Sequence, residues 1–391
     1  MPTTTPPPTP AQVLDDDLLE RFRERAAGYD RDNAFFADDL AELREAGYLG
    51  AVVPSGLGGL GWDLPTLVAA QRRLASAAPA TALGVNMHLV WTSVARVLHD
   101  RDDDSLDFLL REAAAGEVFA FGISEAGNDL MLFGSDTIAD PQRDGTVRYT
   151  GRKIFTSLSP AWTRLGVHGL DTASDDAPKL VYGFIDRDDP DVRTLDDWDT
   201  IGMRATQSRT TVLDGAVAAR DRIVRRLDPG PTDDPFAYAI FACFELLISS
   251  VYTGLADRAL ELAVASASTR VSKRTGVPRS EDPDVRRRIA EAGSLLEAIG
   301  PQLDALARDV ADGVDHGAFR FARPSGLKMR AVAAARGVVE AAVRVSGGRT
   351  FFAGDELGRL QRDVLAGAFH PSSDDGALGA IATALLGPVR D

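Results

Sequence analysis

The sequence predicts an α+β protein in three segments: a helical N-terminal domain, a central β domain and a C-terminal helical domain. Three observations carry this. Residues 11–116 set Leu, Phe and Ala at three- and four-residue spacing among Arg, Glu and Asp, the period of an amphipathic helix. Residues 117–230 change to short alternating runs separated by Gly, Asp and Pro, as strands and turns require. Residues 231–391 return to long helical patterns.

Residues 1–10 hold five prolines and predict a disordered tail. LLERFRERAAGYDRDNAFFADDLAELREAGY then reads as helix, broken by the loop AVVPSGLGGLGWD, and helical spacing resumes over residues 64–76 and 82–98. In the central segment residues 119–124, 146–150 and 153–157 read as strands, with a tight turn at Gly151-Arg152 between the last two. RLGVHGL, KLVYGFID and TTVLDGAVA are further strands, and the acidic run DTASDDAPK is a solvated hairpin loop. Residues 221–235, with Pro229, Pro231 and Pro235, read as a linker. Beyond it FELLISSVYTGLADRALELAVASAST is apolar nearly all round, the pattern of a helix buried in a bundle. DPDVRRRIAEAGSLLEAIGPQLDALARDVADG has a wet and a dry face, and SGLKMRAVAAARGVVEAAVRVSGG stops at a Gly-Gly.

Composition excludes several classes. Hydrophobic residues make up 45% and charged residues 26%, the proportions of a soluble globular protein. A net charge of −15 argues against nucleic acid, whose phosphates need Lys/Arg stripes. The single Cys243 excludes an intrachain disulfide and a cysteine-based zinc site, fits a reducing cytoplasm, and sits in the apolar run FACFELLISSVY as a buried structural thiol. No metal site is expected. The N-terminus has neither the basic region nor the apolar core of a signal peptide, and no uninterrupted apolar stretch approaches a membrane span. These features predict a cytoplasmic protein.

The chemistry concentrates between Phe119 and Ser159. Phe119, Phe121, Ile123 and Phe155 alternate with small residues, while Ser124, Asn128, Thr156 and Ser157 bring hydroxyls and amides to the strand ends. An apolar wall edged with hydrogen-bond donors suits a flavin's isoalloxazine ring; read alone, Ser124 and Asn128 are equally strand-end turn residues. Ser124-Glu125-Ala126-Gly127-Asn128-Asp129 followed by Gly151-Arg152-Lys153-Ile154-Phe155-Thr156-Ser157 resembles the flavin-binding core of the acyl-CoA dehydrogenases. The loop Val53-Pro54 to Gly61, the element Trp198-Asp199-Thr200-Ile201-Gly202-Met203-Arg204-Ala205-Thr206, and Gly347-Gly348 followed by Arg359-Leu360-Gln361-Arg362-Asp363 are similar to further motifs of that family.

The resemblance covers nearly the whole chain after the tail. It implies a C-terminal four-helix bundle, FAD as cofactor and a homotetramer or homodimer. Ser124 would lie at the pyrimidine end of the flavin with Phe121 and Ile123 beside it. Phe155 would lie against the ring, Thr156 and Ser157 near N5, and Asn128 between flavin and substrate. Gly347 and Gly348 would approach the pyrophosphate across a subunit boundary, and Arg270 or Arg274 would face the cofactor phosphates, unless both are solvated helix-end charges. Arg204 reads as structural. By the same analogy His88 could touch substrate, although a satisfied helix histidine fits its position better.

The implied reaction is α,β-dehydrogenation of an acyl thioester, on CoA or a carrier protein, with an electron-accepting flavoprotein as partner. That reaction needs a carboxylate base. The usual position after Arg362-Asp363 carries none. Glu245, inside FACFELLIS, is one candidate base, with a structural ion pair as its alternative. His370 is the other: some relatives on this fold are flavin monooxygenases that use a histidine in this segment, fed with reduced flavin by a reductase. A catalytically degenerate flavin-binding homologue is the third reading.

Overall fold

The computed structural model describes residues 7–172 and 177–389. Six helices open the chain: α1 (Pro10–Val13), α2 (Asp16–Asp32), α3 (Ala37–Glu45), α4 (Leu64–Ala77), α5 (Pro79–His99) and α6 (Asp107–Ala114). Their starts follow local chemistry. Asp15 and Asp63 accept the backbone N–H of Leu18 and Thr66, and prolines occupy the first turns of α4 and α5. The tail expectation fails at its end. Thr9 caps α1 and the Pro8 carbonyl accepts the Trp62 indole N–H at 2.7 Å. Residues 1–6 lie outside the described residues.

One eight-stranded mixed sheet follows: β1 (Phe119–Gly122), β2 (Ile138–Pro141), β3 (Val147–Thr156), β4 (Arg164–Asp171), β5 (Lys179–Asp186), β6 (Val192–Thr194), β7 (Arg209–Ala218) and β8 (Ile223–Leu227). The strands lie in the order β6-β7-β3-β2-β4-β5-β8, with β1 parallel to β4. Two expectations are corrected. Gly151-Arg152 is no turn: β3 runs straight through it, paired with Leu213 and Val212 of β7. A Cβ on Gly151 would stand 2.4 Å from the Thr137 hydroxyl, so glycine is there for close approach. The presumed linker over 221–235 contains β8, which pairs with β5. The acidic hairpin loop joins β4 and β5, and its residues 173–176 lie outside the described residues.

The second helical part comprises α7 (Pro235–Thr269), α8 (Pro283–Glu297), α9 (Gly300–Ala311), α10 (Ala322–Ser346), α11 (Glu356–Asp363) and α12 (Asp374–Leu386). The single amphipathic pattern over 282–313 splits in two ahead of Gly300-Pro301, because proline supplies no N–H to continue the first helix. α7 starts on an Asp234 cap with Pro235 in its first turn and is flanked by α4, α5 and α10. By length and composition α7 is apolar enough to cross a membrane, contrary to the sequence expectation. Yet 94% of its most apolar window is buried within the fold, which makes it the axle of the core. Cys243 lies inside this helix, its thiol pushed up to about 12 by burial.

Candidate functional site

Two cavities meet where the sheet, α7 and the segment after α11 come together. The first, of about 230 Å³, lies among β1, the end of β3, the 198–208 segment and residues 362–371. The second, of about 510 Å³, lies among the β1–β2 connection, α7, residues 368–373 and the start of α12. Phe121, Ser124, Phe155, Phe244, His370 and Pro371 line both.

The first cavity is an aromatic slot edged with hydroxyls. Phe155 adopts φ +55°, a conformation costly for a bulky residue, and remains 49% exposed with its ring edge-on to Trp198. The positive φ ends the regular strand and leaves the ring in the slot. Ser124 Oγ makes no hydrogen bond to a described residue and faces both spaces. Ser157 belongs to a directed chain. Thr206 Oγ1 donates to the Met203 carbonyl at 2.9 Å, so the 2.7 Å contact from Ser208 must be donated by Ser208. Ser157, 2.7 Å from Ser208, must donate in turn. Its only hydroxyl proton is spent, so Ser157 offers lone pairs alone to the slot.

The 198–206 segment is clamped to the helices. A Cβ on Gly202 would sit 2.2 Å from the Arg362 carbonyl, so only glycine allows this approach. Asp363, fully buried and raised to about 6 by desolvation, accepts the Met203 N–H at 2.6 Å. Arg362 pairs with Asp30 of α2, and Arg204 donates to the Asp30 carbonyl, the structural role expected of it.

The second cavity's loop wall is knotted around Glu125. Its Oε1 accepts from Lys153 Nζ at 2.6 Å, from Thr137 N and Oγ1, and from Ser135 Oγ; its Oε2 accepts from Asn128 Nδ2 and Asp136 N. Desolvation opposes this charge, but Lys153 and the surrounding donors hold the carboxyl well below the usual range. Asn128 lines the cavity but spends both amide hydrogens, on Glu125 and on the Gly134 carbonyl.

Across the cavity Glu245 is 1% exposed. Its Oε1 accepts the Ser372 N–H at 2.9 Å and hydroxyl at 2.7 Å, while its buried Oε2 has no partner among the described residues. Burial raises this carboxyl to about 7. Lys328 of α10 donates to the carbonyls of His370 and Ser372 and thereby fixes the segment. His370 Nε2 meets the Tyr252 hydroxyl at 2.8 Å. Burial, then Lys328, lowers this imidazole to about 3, so His370 is neutral rather than poised near pH 7 as the sequence suggested.

The predicted residues thus divide. Phe121, Ile123, Ser124, Asn128, Phe155, Ser157, Glu245 and His370 line one or both cavities. Thr156 turns its side chain into the core and lines neither. His88 is corrected: its Nδ1 accepts the Phe119 N–H at 3.1 Å and its Nε2 donates to the Leu49 carbonyl at 2.8 Å, so it ties α5 to β1. Arg274 is exposed on a surface turn; Arg270 instead donates to the Ser346 carbonyl beside Gly347. Gly347 and Gly348 line neither cavity. Sequence reasoning missed Lys153, Trp198, Ser208, Lys328 and Ser372. Two of them carried a signal: Lys153 as a charge at an inward position of β3, and Trp198 as the first residue of the motif that runs on to Thr206.

Residues 15–100 match the family model of the acyl-CoA dehydrogenase N-terminal domain, and residues 246–374 match that of the C-terminal domain. The chain is 30% identical to the amino sugar nitrososynthase DnmZ of Streptomyces peucetius, over 93% of this chain and 91% of that one. It is 29% identical to the L-evernosamine nitrososynthase of a Micromonospora strain, over 98% and 93% respectively. The solved structure of KijD3 in complex with FMN and dTDP-3-amino-2,3,6-trideoxy-4-keto-3-methyl-D-glucose superposes with a TM-score of 0.86 at 28% identity, covering 100% of this chain and 96% of that one.

Proposed function

Because this chain belongs to the acyl-CoA dehydrogenase family, we propose that it is a flavin-dependent monooxygenase on that fold, using FMN reduced by a partner reductase. The observation that carries this reading is the wall between the cavities. Among the described residues no carboxylate lines the first cavity, and the segment after Arg362-Asp363 brings His370 and Pro371 to the junction. Thioester dehydrogenation, the expectation from motifs alone, needs a carboxylate against the flavin. The relatives named nitrososynthase support the oxygenase reading.

The aromatic slot and its hydroxyl edge fit a flavin ring. Phe155, Trp198 and Phe121 offer flat apolar surface, and Ser124 offers a free hydroxyl. FMN, rather than the FAD that the motifs imply, fits the outward position of Arg274 and the cofactor of the related KijD3 complex. A reduced flavin held there would supply the two electrons with which molecular oxygen gives one atom to the substrate and the other to water. The chain's own residues do the rest. Ser157 accepts a hydrogen bond from the occupant of the slot. The clamp of Gly202 on Arg362 fixes the 198–206 wall of the slot, and the neutral His370 gives or takes a hydrogen bond at the junction without adding charge.

Exposed Phe351 and Phe352 follow Gly347-Gly348 after Arg349 and Thr350, and a homo-oligomer that covers them completes the reading. The test supplies purified protein with FMN, a flavin reductase, NADH and labelled oxygen. Label in an organic product supports the proposal. Anaerobic bleaching of bound flavin by an acyl-CoA, with no labelled product, returns the protein to the dehydrogenases.

A further inference from the structure

Glu245 is an anomaly in its own right. A carboxylate in the apolar helix α7 is costly to bury, and half of its hydrogen-bonding capacity is unmet. Oε1 is held by Ser372, while Oε2 of this cavity-lining residue stays buried and without a partner among the described residues. The charges around it are few. Lys328 faces it from α10 but spends its hydrogen bonds on the carbonyls of His370 and Ser372, and Asp374 at the start of α12 lies near that lysine. His370 is neutral.

The rest of the lining points the same way. Glu125, Asp129 and Glu245 line this cavity, and among the described residues no Lys or Arg does. Glu125 is saturated, Asp129 is exposed at the rim, and the body of the space is Phe133, Phe241 and Phe321. Such a space repels the phosphates of a CoA thioester or a nucleotide-linked sugar and accepts an apolar cation.

We propose that the second cavity binds a small amine with an apolar body, its ammonium head on Glu245 Oε2, and that Glu245 removes one of its protons. Oxidation of that amine rests on the monooxygenase reading; its binding does not. An ammonium nitrogen has no lone pair to receive oxygen; transfer of one proton to Glu245 leaves R–NH2 and a neutral carboxyl. The amine, O2, two electrons from reduced flavin and two protons then give R–NHOH and water. One oxygen atom enters the new N–O bond and the other leaves as water. A carboxyl poised near pH 7 suits this exchange.

The test reads binding without turnover, so that it stands apart from the oxygenase assay. 2-Phenylethylamine and the neutral 2-phenylethanol are titrated by calorimetry into the protein carrying oxidised FMN, at pH 7, in buffers of different ionisation enthalpy. The amine is expected to bind at least tenfold tighter than the alcohol. It is also expected to release about half a proton, because Glu245 is near half-protonated at that pH. Glu245→Gln abolishes both the preference and the proton release, while Ser372→Ala, which keeps the charge, retains the preference. If Glu245→Gln does not fold, Glu245→Asp, which withdraws the carboxylate by one methylene, carries the same comparison. Equal affinity for amine and alcohol overturns the proposal, as does a folded Glu245→Gln protein that keeps the amine preference. Amine binding with no labelled oxygen in any product leaves this site standing and removes the oxygenase reading instead.

Discussion

Glu245→Gln should stabilise the ligand-free protein at pH 8 relative to its effect at pH 4.5. The carboxyl titrates near 4.5 in an unfolded chain and near 7 in the fold, where burial disfavours its charge. Between those values the folded state binds more protons than the unfolded state. Its contribution to stability is therefore fully present below pH 4.5 and is lost as the pH rises through 7. A shift of 2.5, from 4.5 to about 7, at 1.36 kcal/mol per unit, corresponds to about 3 kcal/mol. Glutamine keeps the oxygen that accepts from Ser372 and never ionises. Any cost of its extra N–H beside the cavity is the same at both pH values and cancels in the comparison. Urea unfolding followed by tryptophan fluorescence serves as the assay, since Trp62, Trp91 and Trp162 are fully buried reporters. The variant-minus-wild-type difference should grow by about 3 kcal/mol from pH 4.5 to pH 8. A difference that stays constant with pH would show that Glu245 ionises normally and would refute the reasoning.

Three further outcomes rest on the same geometry. Ser208→Ala cuts the hydroxyl chain and frees the Ser157 proton for the slot; oxidised FMN, rich in ring acceptors, should then bind about fivefold tighter by fluorescence titration, one hydrogen bond's worth. Since His370 is neutral above about pH 3, the kcat/KM profile should show no inflection that His370→Gln removes; the inflection near pH 7 should vanish in Glu245→Gln. Gly202→Ala forces a methyl against the Arg362 carbonyl, so it should destabilise the fold by about 1–3 kcal/mol in thermal unfolding and weaken FMN binding.

Much of the architecture was legible because it is periodic. The helices over 64–77 and 79–99 and the strands over 164–171 and 179–186 carry their burial in local spacing. The misreadings have a common physical origin in distant partners. Gly151 looks like a turn until Thr137 is seen pressed against it. β8 hides in a Pro-flanked stretch because its strand character comes from pairing with β5. In the site, motif spacing found Ser124, Phe155 and Ser157. It could not show that the ring nitrogens of His88 are taken by Leu49 and Phe119, or that Arg270 rather than Arg274 reaches the Gly347 turn. Glu245 was suspicious as a charge in an apolar helix. Its meaning depends on Ser372, which lies in another element altogether.

The knot at Glu125 bears on how this protein can change over generations. The side chains of Lys153, Thr137, Ser135 and Asn128 all converge on one carboxylate, so replacing any of them takes a donor from a buried charge. That side of the second cavity is closed to gradual drift. The opposite side, Ile240, Phe241 and Phe321, is apolar and carries no such obligations. New substrate preferences within this lineage should therefore accumulate on the helical face, one volume change at a time, while the loop facing it stays the same.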